Sequence, residues 1–257
     1  MTIAFERRGT GKPLLLVHGL GSSRAAWTPV LPLLTDRKII LVDLPGHGAS
    51  PPEEDSGTFQ GLVRSMEKWL AAEGLTNVPM VGSSMGARLV LELSRRGASG
   101  PIVALDPGGF WRGWERSLVN STLTASVALL RTLNGALPAL SRNAVSRSAL
   151  LAQLSARPWA LDGAFIAHEL AGLASTGTVD SLIKDLAYGP EQPGSDKSAA
   201  ITIGWGRHDR LCLPRQATRA QQAFGDSHLI WFEHSGHFPM WDEPRKTAAL
   251  MLEATST

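Results

Sequence analysis

Short apolar runs recur along the chain: PLLLVHG (13–19), KIILVDLPG (38–46), VPMVGSS (78–84), PIVALDPGG (101–109), AAITIGWG (199–206) and HLIWFE (228–233). They are nearly continuous rather than alternating, which is the pattern of strands covered on both faces. Helical spacing fills the intervals at about 58–73, 85–97 and 212–224, with a last helix near 243–254. This alternation predicts an α/β chain whose mostly parallel sheet carries helices on both faces. From about 111 to 197 the rhythm breaks. The segment is rich in Leu, Ala, Ser and Arg, punctuated by Pro138, Pro158, Pro190 and Pro193, and has a helical pattern without a strand. It is too apolar for a disordered linker and too long for a plain loop. The expected organisation is a core of residues 1–110 and 198–257, with 111–197 as a helical cap over the carboxyl ends of the strands.

Composition narrows the classes of function. Hydrophobic residues make up 43% and charged residues 19%, enough for a folded core, and the net charge of +2 comes without basic runs interleaved with aromatics. Nucleic acid is therefore not an expected partner. The apolar runs are strand-sized, so no membrane span is expected, and the first residues lack a signal-peptide pattern, which makes the cytoplasm the default location. The single cysteine, Cys212, excludes an intramolecular disulfide and a Cys-based metal cluster.

In an open parallel sheet, ligands bind beyond the carboxyl ends of the strands, so candidate chemistry is sought where each run stops. Gly82-Ser83-Ser84-Met85-Gly86 follows one run and precedes a helix. A sharp strand-to-helix turn crowds its central residue, and glycines two before and two after relieve that crowding. The spacing selects Ser84 over Ser83 as a nucleophile; the alternative is a serine-capped helix. An acyl-transfer site also needs two N–H donors for the developing oxyanion. Met85 N–H follows the serine directly, and Leu20, just past His18-Gly19, supplies the second from VHGLGSS. His18 is read as a brace for that loop. In GWGRHDRLCLP, Asp209 can orient a histidine, or else form an Asx-turn or a helix cap. Its neighbour His208 is read as exposed or loop-bracing. In FEHSGHFPMWDEP, Gly236 permits a tight path into His237, which favours it as the base over His234. Asp106, ending PIVALD, is a rival for the acid.

With HGLG, DLPGHGAS, GSSMGA, WGRHD and GHFPMWDEP in this order, the chain resembles the α/β-hydrolase superfamily over essentially its whole length. The order Ser84, Asp209, His237 matches that of such enzymes. The resemblance implies an eight-stranded, mostly parallel sheet, a helical cap after the sixth strand, and no metal or other cofactor. It supports Ser84, Asp209 and His237 as catalytic and Leu20 and Met85 as oxyanion donors, and it makes Asp43 and His47 of DLPGHGAS structural.

Superfamily members that open epoxides or remove halogen resemble this fold but carry Asp at the elbow, so Ser84 points instead to acyl transfer. The expected activity is hydrolysis of carboxylic esters by a monomer or homodimer, with lactones and thioesters as neighbouring substrates. A rival is carbon–carbon bond hydrolysis of a meta-cleavage product. Pro107-Gly108-Gly109 and Trp241 resemble that group, whose dienoate substrate needs a cation such as Arg142, Arg147 or Arg157. A non-catalytic, ligand-binding hydrolase-like protein is the alternative of another class. Candidate substrate contacts are Gly19, Phe110, Trp111, Trp159 and Phe238. The apolar cap residues suggest small to medium, uncharged or aromatic esters.

Overall fold

The computed structural model describes residues 3–195 and 200–256. In chain order the elements are β1 (Phe5–Arg8), β2 (Lys12–Val17), β3 (Arg37–Val42), α1 (Phe59–Ala72), β4 (Met80–Ser83), α2 (Met85–Arg95) and β5 (Ile102–Leu105). A helical stretch follows, with α3 (Trp114–Thr132), α4 (Leu137–Arg142), α5 (Ala144–Leu150), α6 (Gly163–Ser175) and α7 (Val179–Tyr188). The chain closes with β6 (Ile201–Gly206), α8 (Arg215–Ala223), β7 (His228–Phe232), α9 (Pro239–Asp242) and α10 (Pro244–Ala254).

The strands form one 7-stranded sheet in the order β1-β3-β2-β4-β5-β6-β7, parallel except for β1. Strand side chains alternate between faces, and here both faces are apolar. Leu15, Val17, Ile40 and Val42 join the cluster on one face, while Leu14, Leu16, Ile39 and Leu41 join the cluster on the other. That division is why the runs read as continuous. Helices α1 and α2 cover the first face, and α2 is buried from Met85 to Ser94. The starts of the helices are chemically marked: the Thr58 hydroxyl accepts from Gly61 N–H at α1, and Asp162 from Phe165 N–H at α6.

The expectation of eight strands is corrected to seven among the described residues, and the helical stretch follows the fifth of them. Among the described residues a single strand precedes β2, and the chain turns between the two at Gly9 and Gly11, both with positive φ. The boundary expected at 197/198 lies outside the described residues. Between β5 and β6 the helices pack on one another, α3 against α6 and α7, and α4 against α6. Among the described residues no single helix is long and apolar enough to cross a membrane.

Candidate active site

β4 stops at Ser83 and α2 starts at Met85, which leaves Ser84 alone in the turn with φ 58° and ψ −118°. A non-glycine residue at such angles costs about 1–3 kcal/mol and persists only where its surroundings enforce it. Here Ser84 N–H donates to Leu105 O (2.9 Å), and Ser84 O accepts from Arg88 N–H (3.1 Å). The flanking glycines are required by contact. A Cβ on Gly82 would strike the Gly86 carbonyl, and one on Gly86 would strike the carbonyls of Val17 and His18. Ser83 is fully buried, with its hydroxyl 3.7 Å from the Met240 sulfur.

Ser84 Oγ lies 2.8 Å from His237 Nε2, and His237 Nδ1 lies 2.8 Å from Asp209 Oδ2. Asp209 uses its other oxygen as an Asx-turn acceptor for Leu211 N–H (2.8 Å) and Cys212 N–H (2.9 Å). The turn and the imidazole contact are therefore compatible, and the first fixes the carboxylate for the second. The His237 loop is held by the helical segment: His237 N–H donates to Leu154 O (2.9 Å), and Asp242 accepts from Gly236 N–H (2.8 Å), Ala156 N–H (2.8 Å) and the Ser155 hydroxyl. Gly236 is needed for close approach, since a Cβ there would sit 2.8 Å from Leu154 O. His234 and His208 are exposed. Asp106, also at positive φ (47°), is fully buried beside Asp209 and accepts from Gly206 N–H (2.8 Å). Burial, and then the neighbouring Asp209 charge, push its carboxyl well above the usual carboxylate range.

Among the described residues no protein acceptor receives the N–H of Leu20 or Met85, and both residues line the cavity at Ser84. Gly19 packs on the serine, and a Cβ there would be 3.1 Å from Ser84 Cβ. His18 braces this loop: its Nε2 accepts from Leu44 N–H (2.9 Å), and Nδ1–H donates to Gly19 O (2.7 Å). Burial lowers its pKa to about 4, which keeps it neutral. Asp43 accepts from Arg24 N–H (2.7 Å) and Ala49 N–H (2.9 Å), a structural role.

The far end of the same loop is tied to α6, where the Ser22 hydroxyl donates to Glu169 (2.6 Å). Burial, with the Asp43 charge adding to it, raises Glu169 to about 7. A carboxyl raised in the folded state stabilises fully below its unfolded pKa, and that contribution fades as pH rises through the folded value. Glu169→Gln keeps the acceptor without the charge. Its stability relative to wild type should therefore climb between pH 5 and pH 8, by an amount on the order of 3 kcal/mol at most, seen as a melting-temperature difference that grows with pH. Parallel thermal melts across that range check it; equal pH slopes in both proteins would refute it.

The cavity at Ser84 is small, about 60 Å³, and apolar, with Trp111, Phe238, Leu211 and Cys212 in its walls. Two expected contacts are corrected. Phe110 is buried in the core, and Trp159 is 59% exposed, its short turn Pro158–Ala160 directing the ring outward. Trp241 is a core residue whose indole N–H donates to Ala26 O (3.1 Å). Arg147 is buried, with its guanidinium donating to the carbonyls of Ser141, Arg142, Pro158 and Trp159, while Arg142 and Arg157 are exposed. Metal-ligating atoms converge, among the described residues, at Asp209, Cys212 and His237, within 4.8 Å of one another. Asp209 and His237 already engage each other, and burial pushes the Cys212 thiol well up, so this donor set fits a hydrogen-bonded chain better than an ion.

Comparison with known proteins agrees with this architecture. An uncharacterised protein of Mycobacterium tuberculosis is 26% identical over 262 residues, covering 95% of this chain and 75% of that one. An esterase from Exiguobacterium antarcticum superposes with a TM-score of 0.79 at 18% identity, covering 99% of this chain and 96% of its own. A meta-cleavage product hydrolase of Pseudomonas fluorescens gives 0.74 at 17% identity, covering 99% and 94%. At these identities the two structures share the fold with this chain. The sequence model of the alpha/beta hydrolase family matches residues 14–250. The chain belongs to the α/β-hydrolase family.

Proposed function

We propose that the protein is a serine hydrolase that cleaves carboxylic esters of small to medium apolar or aromatic substrates through an acyl-enzyme on Ser84. The observation that carries this reading is the unbroken chain from Ser84 Oγ through His237 to Asp209 at 2.8 Å per step. His237 Nε2 takes the hydroxyl proton as Oγ attacks the ester carbonyl. Asp209 fixes the tautomer and stabilises the imidazolium. The oxyanion meets the N–H groups of Met85 and Leu20, each donor contributing roughly 3 kcal/mol to the transition state. His237 then protonates the departing alcohol, and water, activated by the same imidazole, releases the acid. The helices between β5 and β6, residues 114–188, act as the cap that excludes bulk water from this step.

The apolar walls favour this reading over carbon–carbon hydrolysis of a dienoate. Among the described residues no lysine or arginine lines the cavity, and Arg147 is engaged by four carbonyl oxygens elsewhere. A carboxylate buried there without a partner would lose several kcal/mol of hydration. Two measurements test the proposal. A fluorophosphonate reagent should label the protein and fail to label Ser84→Ala; labelling that survives the substitution removes Ser84 as the nucleophile. Neutral nitrophenyl esters such as the butyrate and benzoate should exceed the anionic hemisuccinate by tenfold or more in kcat/KM. Faster turnover of the anionic ester would contradict the assignment of the pocket.

A further inference from the structure

Beside the cavity at Ser84 lies a second apolar space, a groove of about 170 Å³ within the helical segment. Its walls come from α3, from α5 with the turn after it, and from α6, and Ser126 and Gln153 are their polar members. Leu129, 52% exposed, stands in this wall. The two spaces share Leu123, Leu154 and Leu173, which line both. All three leucines are only partly buried.

The same residues mark a seam in the packing. Leu123 packs against one sheet-face cluster and the small cluster of Val127, Val179 and Ile183. Leu154 packs against the clusters on both faces of the sheet, and Leu173 against the second face and the small cluster. Each leucine thus bridges two apolar bodies and belongs wholly to neither. Side chains at such a junction can change rotamer without opening a core.

We infer that Leu123, Leu154 and Leu173 form a septum through which the chain of a linear acyl ester passes from Ser84 into the second groove. This rests on the ester-hydrolase reading and names its substrate as a saturated acyl chain longer than the inner cavity holds. The chain lies on the acyl side of the ester. The acyl group stays bonded to Ser84 through both steps, whereas the alcohol must leave before water reaches His237. Leu154 also connects the septum to the chemistry, since its carbonyl accepts the His237 N–H. A chain seated against Leu154 therefore presses on the segment that positions the base.

Acyl length and alcohol length are varied separately to test this. In the nitrophenyl series, wild-type kcat/KM should hold or rise from acetate to octanoate, whereas alkyl acetates should show no gain with alcohol length. Leu123→Trp, which fills the septum, should lower the octanoate-to-acetate ratio tenfold or more. Leu129→Glu, at a half-exposed position, should lower the same ratio at least threefold. A steep wild-type decline beyond butyrate, equal losses at every acyl length, or a length effect confined to the alcohol would overturn the septum. Calorimetric binding of methyl octanoate to Ser84→Ala, with and without Leu123→Trp, gives a readout free of turnover. Tenfold weaker binding supports the septum even if no ester is cleaved, an outcome that would refute the ester-hydrolase reading alone; unchanged binding refutes the septum.

Discussion

Ser84→Ala is expected to lower kcat for a neutral ester by about 10⁴-fold or more, and His237→Ala by a similar factor. The two effects should not add. With Oγ absent, the imidazole 2.8 Å away has no proton to take, and without the imidazole the hydroxyl is not activated. The double variant should therefore match the worse single variant within a few-fold. Residual turnover in all three would come from the N–H groups of Leu20 and Met85 acting on a bound ester attacked by water. Steady-state rates of the four proteins on nitrophenyl butyrate complete the cycle. His234→Ala serves as the companion control: its exposed ring makes no contact with Ser84, and a loss there comparable to that of His237→Ala would show that the base is misassigned.

Much of this arrangement was legible in the sequence, for identifiable reasons. Strands buried on both faces leave continuous apolar runs, and the runs at 13–19, 78–84 and 228–233 coincide with β2, β4 and β7 to within two residues, while the run at 38–46 extends into the loop after β3. β1 was not legible, because FERR has one apolar residue and gains its place by pairing Phe5 with Val42 at the sheet edge. The elbow was legible because close approach demands glycine: Gly82 and Gly86 each face a backbone carbonyl where a side chain would stand. What sequence could not supply are contacts across long separations. The Ser22–Glu169 hydrogen bond spans 147 positions, and the Ser155–Asp242 bond spans 87. Neither residue pair carries a local pattern, yet the first holds the loop of Leu20 and the second the loop of His237. The facing of short turns was equally illegible, as Trp159 shows. For Asp209 the sequence offered a turn or an acid as alternatives, and the two carboxylate oxygens perform one each.

The division of labour between two buried aspartates yields the second large effect. Asp209→Asn should reduce kcat by about 10⁴-fold, because the amide can present its NH₂ to Nδ1 and stabilise the wrong imidazole tautomer. Its carbonyl can still cap Leu211 and Cys212, so the turn should survive and the loss should appear in kcat rather than in folding. Asp106→Asn should differ sharply. Burial and the Asp209 charge already favour the protonated, neutral form of Asp106, which an asparagine imitates in both shape and charge. Its carbonyl oxygen can keep the bond from Gly206 N–H, so kcat should fall by less than about tenfold. If Asp106→Asn proves the more damaging substitution, the acid that orients His237 is Asp106, and Asp209 serves only the turn.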